Sequence, residues 1–449
     1  MTNNKDNKSK FIWGSATAAY QIEGGVAEDG RGECIWDRFS HTEGKVLNGD
    51  TGDVACDHYH RFKDDINTMS EIGLNGYRFS IAWSRIYPEG HGKVNQKGLD
   101  FYDRLIEGLL EKNIDPMITL YHWDLPQALQ DIGGWANRDT VEYFTEYSNT
   151  LFAKFGDRVH KWVTHNEPWV VAFAGNRVGR HAPGIKDFPT AVQVSHHLIL
   201  SHAKAVDAFK AYRNDGDEIG ITLNLFPMHP ATNSPEDIAA AKRVDEYHNT
   251  WFLDPILKGE YPKDLLNSFE TKLNSPVILP EDMKLIANNP GDFLGINYYL
   301  RRVIKHSMAD SFLEYEEIQP EGSSYTDFPW EVYPEGMYEL LMRIKNEYNN
   351  PKIYITENGA AYNDDKIVDG VVIDDNRIDY LSSHINEMLR AKAEGAKVEG
   401  YYAWSLLDNF EWAYGYSKRF GLIHVDYNSL QRKWKKSAFW YRDFIKNNR

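Results

Sequence analysis

The sequence predicts a single closed (β/α)8 barrel, the TIM barrel, over residues 1–449. Eight short strand-like runs alternate with helix-length stretches, and no linker or low-complexity tract interrupts them. The runs end in polar or aromatic side chains, as expected where ligands meet the carboxyl ends of barrel strands. An open doubly wound sheet is the alternative, but no G-x-G-x-x-G opens a helix after any run.

Each run joins a short apolar stretch to a polar or aromatic tip, which indicates a buried parallel strand ending at a site. The runs are F-I-W-G-S-A-T-A-A-Y-Q (11–21), G-Y-R-F-S-I-A-W-S-R (76–85), M-I-T-L-Y-H-W-D (117–124), K-W-V-T-H-N-E-P (161–168), I-G-I-T-L-N (219–224), F-L-G-I-N-Y-Y (293–299), K-I-Y-I-T-E-N-G (352–359) and G-Y-Y-A-W-S-L-L-D (400–408). Between them the period of apolar residues predicts helices at 97–113, 335–349 and 375–395. In the first, the apolar face carries Leu99, Tyr102, Leu105, Leu109 and Leu110.

Composition narrows the class of protein. Hydrophobic residues make up 42%, which supports a large core and excludes disorder. The formal net charge of −16 is spread along the chain, so neither nucleic acid nor an anionic membrane is expected as a partner. The aromatic share of 14% fits either a big core or rings that stack on a sugar.

The chain carries no pattern typical of secreted or membrane proteins. Cys34 and Cys56 are the only cysteines, and no C-x-x-C is present, so a disulfide framework is not expected. The polar start lacks the apolar core of a signal peptide, and no run is long enough to span a bilayer. A cytoplasmic location follows as the prediction.

Two of the run tips carry a carboxylate, Glu167 in T-H-N-E-P and Glu357 in I-T-E-N-G. Each could cap a helix or pair with an arginine. A metal site would need converging ligands, but there is no H-E-x-x-H, and the pairs His58–His60 and His196–His197 suit packing better. The third interpretation is a glycosidase pair, one acid and one nucleophile or base. We predict no metal and no cofactor.

Six stretches, in this order, resemble family 1 of the glycoside hydrolases, the β-glucosidase family. They are F-I-W-G-S-A-T-A-A-Y-Q-I-E-G (11–24), Y-H-W-D-L-P (121–126), T-H-N-E-P (164–168), G-I-N-Y-Y (295–299), I-T-E-N-G (355–359) and W-S-L-L-D-N-F-E-W-A-Y-G-Y (404–416). A lone N-E-P would be weak evidence, but the six together cover essentially the whole chain. The resemblance implies a retaining β-glucosidase acting on cellobiose, short cello-oligosaccharides or aryl β-glucosides.

By this resemblance Glu167 is the acid/base and Glu357 the nucleophile, with Arg78 and Tyr299 beside the nucleophile and Asn166 donating to the sugar 2-hydroxyl. The acid must begin protonated, so its pKa should be raised, for which apolar walls such as Trp123 and Trp169 are suited. The nucleophile should be kept ionised by hydrogen bonds and a cation. We expect carboxyl groups roughly 5–5.5 Å apart, the retaining geometry.

The resemblance also implies which side chains bind the substrate. Gln21, His122, Glu411 and Trp412 match positions that grip the first sugar, and Trp404 matches the ring beneath it. Trp169, Asn224 and Trp330 are candidates for the leaving-group side. Trp330 lies in a long segment, 301–334, whose composition predicts a loop at the mouth of the site.

Neighbouring activities stay open. Enzymes of this family that cleave 6-phosphorylated glycosides carry Ser where this chain has Glu411, followed by a Lys and a Tyr. Here Lys418 is present but Phe420 replaces the Tyr, so an unphosphorylated sugar is favoured. Galactosides and fucosides are expected as secondary substrates of the same site. The alternative functions are a 6-phospho-β-glycosidase, a non-catalytic sugar-binding barrel and an unrelated metal-dependent isomerase. The oligomeric state cannot be read from the sequence.

Overall fold

Eight parallel strands form a closed barrel in the computed structural model, which describes residues 11–448. The barrel strands are β1 (Ile12–Ala16), β2 (Gly76–Ser80), β3 (Asp115–Tyr121), β4 (Lys161–Asn166), β5 (Glu218–Asn224), β6 (Phe293–Asn297), β7 (Lys352–Asn358) and β8 (Val398–Trp404). Each of the eight predicted runs supplies one strand. The TIM barrel is therefore confirmed, and the open doubly wound sheet is excluded.

The ring closes between its first and last strands. β1 pairs in parallel with β8, from Ile12 opposite Gly400 to Ala16 opposite Trp404, and on its other side with β2. Nearly every residue of the eight strands is buried. Helices cover the outside and side chains fill the inside, which explains why the runs are apolar without alternation.

The helices lie in the connections between the strands. The three predicted helices are present, as Gln96–Glu111, Glu335–Glu347 and Asp375–Ala393. The remaining α-helices are Ala19–Ile22, Ile35–Ser40, His58–Ile72, Trp83–Ile86, Gln127–Asp131, Asp139–Phe155, Phe188–Phe209, Pro235–Asp245, Trp251–Lys258, Lys263–Leu273, Pro280–Asn288 and Lys436–Asn447. Two π-helical segments, Val170–Val178 and Glu246–Thr250, and three 3-10 turns, Leu47–Gly49, Gly134–Ala136 and Trp412–Tyr414, complete the helical elements.

One detail of the helix prediction is wrong. In Gln96–Glu111 the face with Leu99, Leu105 and Leu109 is buried, but Leu110 is 37% exposed. Successive helical residues are turned by about 100°, so Leu110 points away from the core that Leu109 enters. An exposed leucine of this kind is ordinary in a soluble protein.

The composition of segment 301–334 predicted a loop, but the structure shows that the segment also contains strands. It contains the strands Arg302–His306 and Tyr315–Ile318, which form a three-stranded sheet with Met228–Pro230. Two further hairpins pair Ile367–Val368 with Val371–Val372, and Ile423–Val425 with Arg432–Trp434. The first sheet joins the connections after β5 and β6 and so builds one wall above the barrel.

Both strands that carry a candidate carboxylate are irregular where they end. The register of β4 against β5 shifts between Val163 and Asn166, and that of β7 against β6 shifts between Ile355 and Glu357. Glu167 follows with a φ of 48°, in the left-handed region. Such irregularities redirect side chains, and they are common beside active sites.

Two further observations concern the class of protein. Cys34 and Cys56 are buried free thiols. From Phe11 to Asn448, no helix has both the length and the apolar character needed to cross a membrane.

Candidate active site

A cavity of about 640 Å³ opens at the carboxyl ends of the barrel strands. This volume is typical of a small-molecule site. Ten of the thirteen predicted site residues line it: His122, Glu167, Trp169, Asn224, Tyr299, Trp330, Glu357, Trp404, Glu411 and Trp412. The other three, Gln21, Arg78 and Asn166, are buried and hydrogen-bonded to cavity residues.

Glu357 is held by a cation on one oxygen and a phenol on the other. Arg78 Nη1 donates to Oε1 at 2.6 Å, and Tyr299 Oη donates to Oε2 at 2.6 Å. Arg78 is in turn anchored by Thr119 Oγ1, at 3.0 Å from its Nε. Burial raises the pKa of Tyr299 well above its ordinary value, so this phenol keeps its proton and acts as a donor.

Glu167 directly follows β4, and within residues 11–448 one side-chain amide donates to it. Asn297 Nδ2 donates to Glu167 Oε1 at 2.6 Å. Burial, with the charge of Glu357 as the second cause, raises the pKa of Glu167 to about 8. Trp123 and Trp169 line the same cavity, in agreement with the expected apolar walls. At neutral pH Glu167 is therefore protonated and can donate.

The two carboxyls differ in what surrounds them. Burial also raises the pKa of Glu357, but the Arg78 charge and the Tyr299 hydrogen bond act against it by stabilising the anion. Glu167 has no direct cation partner among the described residues. When one proton is shared by the pair, it therefore resides on Glu167.

Asn166 connects the carboxylate sites to His122. Its Oδ1 accepts from Arg78 Nη2 at 2.7 Å and from Asn297 Nδ2 at 3.1 Å, which fixes the orientation of the amide. Its Nδ2 then donates to His122 Nε2 at 3.0 Å. An accepting Nε2 requires the proton on Nδ1 of His122, since burial and Arg78 lower the pKa of this imidazole and keep it neutral.

Two side chains offer unused polar atoms at the floor of the cavity. Within the described residues, His122 Nδ1 and Gln21 Oε1 are buried without a hydrogen-bond partner. Gln21 Nε2 donates to Asn409 Oδ1 and to the Phe410 carbonyl, so the amide orientation is set and Oε1 is available as an acceptor. An unpaired buried donor and acceptor are costly unless a ligand satisfies them.

Glu411 forms the far end of this polar set. Its Oε2 lies 3.5 Å from Gln21 Nε2. Burial and then the charge of Glu357 raise the pKa of Glu411 to about 8. Its carboxyl group can therefore donate or accept a hydrogen bond near neutral pH.

Trp404 and Trp412 supply apolar surface next to these polar groups. Trp404 ends β8 and is 5% exposed, and its ring lies 6.0 Å from that of His122 at an angle of 20°. Gly359 lies directly beneath, where a Cβ would stand 1.8 Å from the Trp404 carbonyl oxygen. This close approach explains the glycine in I-T-E-N-G. Trp412 packs with its ring centroid 4.6 Å from that of Trp123.

The outer part of the cavity is aromatic. The Trp330 ring lies 5.1 Å from Tyr299 and 5.9 Å from Phe420, and the Trp169 ring lies 4.4 Å from His248. Asn224 also borders this region, where its Nδ2 lies 3.4 Å from His248 Nε2. The three residues predicted for the leaving-group side therefore share this cavity with both carboxyls.

Asn297 is a site residue that the sequence reasoning missed. It bonds both Asn166 and Glu167, and Thr356 Oγ1 donates to its Oδ1 at 2.8 Å. The signal was present in G-I-N-Y-Y, where this amide precedes Tyr299 by two positions on the same strand end.

The histidine pairs weighed as metal ligands have other partners. His58 Nδ1 lies 2.8 Å from Asp65, and His196 lies between Tyr261 and Asp282. His60 lies on the surface beside Asp57 and Glu28. Over residues 11–448 no three His, Cys, Asp or Glu side chains are grouped as a ligand set.

Known proteins resemble this chain along nearly its whole length. Beta-glucosidase A of Acetivibrio thermocellus is 53% identical over 446 residues, with 98% of each chain covered. A 6-phospho-beta-galactosidase of Clostridium acetobutylicum is 42% identical over 457 residues, covering 96% of this chain and 95% of that protein. The structure of a family 1 β-glucosidase from Thermotoga maritima superposes with a TM-score of 0.94 at 49% identity, covering 100% and 99%.

The sequence model of Glycosyl hydrolase family 1 matches residues 4–449. The barrel, the two strand-end carboxyls and this match agree with one another. The chain belongs to glycosyl hydrolase family 1.

Proposed function

We propose that the protein is a retaining β-glucosidase that removes terminal β-D-glucosyl residues, with Glu167 as acid/base and Glu357 as nucleophile. The observation that carries this proposal is the pair of buried carboxyls in one cavity, one protonated near neutral pH and the other held by Arg78 and Tyr299. The names of relatives about half identical to the chain support the same activity.

In the first step Glu357 attacks the anomeric carbon of the sugar. The bond to the leaving oxygen breaks, and that oxygen takes the proton of Glu167, so the leaving group departs as a neutral alcohol. The sugar remains joined to Glu357 through an ester. Arg78 and Tyr299 position the attacking carboxylate until the new bond forms.

In the second step Glu167 acts as a base. Once Glu357 is esterified its charge is gone, and with it the second largest of the three causes that raise the pKa of Glu167, after burial and before the charge of Glu411. The Glu167 carboxylate takes a proton from water, the water oxygen attacks the anomeric carbon, and Glu357 leaves as a carboxylate. The sugar is released with its original configuration, and Glu167 is again protonated.

Sugar recognition is assigned to the polar floor of the cavity. His122 Nδ1–H and Gln21 Oε1 would bind hydroxyls, since neither has a partner in residues 11–448. Asn166 Nδ2 has one hydrogen on His122, and the other is directed to the sugar 2-hydroxyl in this proposal. Glu411 and Trp412 complete the set, and Trp404 lies under the ring.

An unphosphorylated sugar is the proposed substrate. Glu411 offers no positive charge to a phosphate, and its carboxyl group suits a free hydroxyl, whereas Phe420 has no donor. Lys418 Nζ already donates to the Asp327 carbonyl at 2.6 Å. The 6-phospho-glycosidase activity named in one relative is therefore not proposed for this chain. The outer rings of Trp169 and Trp330, with Asn224, would bind the leaving group.

The decisive measurement is a panel of β-glycosides, phosphorylated and not, with initial rates and the configuration of the first product followed by NMR. We expect cellobiose and aryl β-glucosides to be cleaved with β-glucose released first. Release of α-glucose first would exclude the double displacement. Preference for a phosphorylated substrate would overturn the assignment of Glu411.

A variant separates catalysis from mere sugar binding. Glu357→Gln should fold and bind glucose-sized inhibitors but lose about 10⁴-fold or more of turnover, because an amide cannot act as the nucleophile. Glu347→Gln, a change on the exposed face of the helix Glu335–Glu347, is the matched control and should keep full rate. Turnover by Glu357→Gln at the unmodified rate would contradict the mechanism.

A further inference from the structure

The segment 319–334 carries Trp330 and forms an outer wall of the active-site cavity, and an ion pair ties it to the chain that follows β6. Arg301 follows Tyr299 by two positions, and Glu331 directly follows Trp330. Arg301 Nε lies 2.8 Å from Glu331 Oε2, and Nη2 lies 3.0 Å from Oε1, a two-pronged contact. The side chains are 19% and 6% exposed, so this contact is shielded from water.

The ion pair is braced from both sides. Ser323 Oγ also donates to Glu331 Oε1, at 2.6 Å. Arg301 Nη1 lies 3.0 Å from His229 Nδ1, and the guanidinium carbon lies 4.0 Å from the Tyr333 ring centroid. Every N–H of an arginine donates, so Nδ1 of His229 must accept.

His229 and Tyr333, the two partners of Arg301, also contact the helix Glu335–Glu347. The proton of His229 is then on Nε2, which donates to Glu339 Oε2 at 2.9 Å. Tyr333 Oη donates to the other oxygen of Glu339, at 2.9 Å. Glu339 belongs to the helix Glu335–Glu347, so Arg301 and its partners connect the end of β6 with the helix that precedes β7.

Arg301 also separates two cavities. Arg301 and Glu331 line the active-site cavity, whereas His229 and Glu339 line a second cavity of about 400 Å³ behind it. Trp330 itself contacts Tyr299, the phenol that donates to Glu357. The ring that would face the leaving group is thus held in place by an ion pair that lies outside the glucose subsite.

We propose that Arg301, through Glu331, is a positioning residue that sets the place of Trp330 and thereby the preference for the leaving group. The inference rests on the proposed function. Loss of Arg301 would leave Glu331 buried without its charge partner, which is unfavourable, so the wall would shift and carry Trp330 with it. Binding of the glucosyl unit, on Gln21 and His122, would be unaffected.

The test compares Arg301→Met with the unmodified protein on two substrates. With cellobiose, whose leaving sugar needs the wall, we expect kcat/KM to fall roughly ten- to a hundredfold, the effect of a small misplacement. With 2,4-dinitrophenyl β-glucoside, kcat should stay within twofold, because the first step is fast with so good a leaving group and turnover is then limited by hydrolysis of the glycosyl ester, after the dinitrophenol has left. The Ki of an iminosugar that fills only the glucose subsite should also be unchanged.

The variant Trp330→Ala decides whether Arg301 acts through this ring. In that background we expect Arg301→Met to change kcat/KM for cellobiose less than twofold. Arg301→Lys should restore part of the loss, because one ion pair to Glu331 can re-form. The matched control is Arg343→Met, which removes an equally two-pronged pair with Asp245 away from the active-site cavity and should leave all these constants unchanged.

Three results would overturn the positioning role: equal losses on both substrates, no loss on cellobiose, or a full loss that persists beside Trp330→Ala. Should Arg301→Met fail to fold, Glu331→Gln and Arg301→Lys answer the same question in both backgrounds. Failure of the proposed function is a different result, since the unmodified protein would then hydrolyse no β-glucoside at all.

Discussion

Asn297 donates to Glu167 at 2.6 Å although Asn297 ends β6 and Glu167 follows β4, two strands that are separated in the barrel by β5. The same amide nitrogen lies 3.1 Å from Asn166 Oδ1. Thr356 on β7 holds the amide oxygen. Three strands thus set the direction of the proposed acid/base, and the hydrogen bond favours its charged form.

Asn297→Ala should shift the acidity of the site. The Asn297 hydrogen bond lowers the pKa of Glu167, so its loss leaves burial less opposed and moves the basic limb of kcat/KM to higher pH. We also expect kcat to fall about tenfold, because Glu167 loses its fixed orientation. Initial rates on an aryl β-glucoside from pH 5 to 10 check both effects. Asn346→Ala, at an exposed position of the helix Glu335–Glu347, serves as control. A basic limb that moves to lower pH would contradict the assignment.

The basic limb itself should disappear in Glu167→Gln. With a pKa of about 8 the unmodified acid is protonated below that pH, and kcat/KM should fall as the pH rises through it. For leaving groups that need protonation, the variant should lose about 10²–10⁴-fold in rate. Its kcat/KM for 2,4-dinitrophenyl β-glucoside, which needs no acid, should not fall between pH 7 and 9. A limb that persists there would point to Glu411, whose pKa is also about 8.

Glu167 should lower the stability of the folded chain at alkaline pH. Its pKa is higher in the folded state than in the unfolded chain, so the contribution of its neutral form is fully present at acidic pH and is lost as the pH rises to about 8. Gln cannot ionise and keeps an oxygen for Asn297. We expect Glu167→Gln to unfold at higher denaturant than the unmodified protein at pH 8, by on the order of a few kcal/mol, and the difference to narrow at pH 5. A difference independent of pH would exclude this explanation.

Glu411→Ser should weaken the site for ordinary glucosides. A buried carboxyl that hydrogen-bonds sugar hydroxyls contributes about 1.5–3 kcal/mol, which corresponds to roughly a ten- to two-hundredfold loss of kcat/KM on cellobiose. The ratio of rates on phosphorylated and unphosphorylated aryl glucosides should rise in the same variant. Glu111→Ser, at the exposed end of the helix Gln96–Glu111, is the matched control and should leave cellobiose hydrolysis unchanged. An unaltered ratio would mean that Glu411 does not distinguish a free 6-hydroxyl from a 6-phosphate.

Much of this architecture could be predicted from the sequence because the relevant signals are local. A buried parallel strand shows as an apolar run, and its polar end shows as a motif, so the eight strands and the two carboxyls were predictable one by one. The prediction that Leu110 is buried was wrong because this residue lies at the edge of the apolar helical face, where the period alone does not decide burial.

Contacts between the ends of different strands could not be predicted in the same way. The bonds from Asn297 to Asn166 and Glu167 join strands that are not neighbours, and no local pattern encodes that distance. The strands within 301–334 were missed because polar residues such as Glu316 and Glu317 fill an exposed edge sheet and give it the composition of a loop.

The pairing of β1 with β8 has a consequence for how the working molecule arises. Glu167 comes from the first half of the chain and Glu357 from the second, so neither half, as a nascent or cleaved polypeptide, holds both groups. Arg78 of β2 bonds Glu357 of β7 across the ring, so we expect full hydrolytic competence only after β1 has paired with β8. Recovered turnover in a refolding experiment would therefore report when β1 pairs with β8, whereas circular dichroism would report the formation of the individual strands and helices.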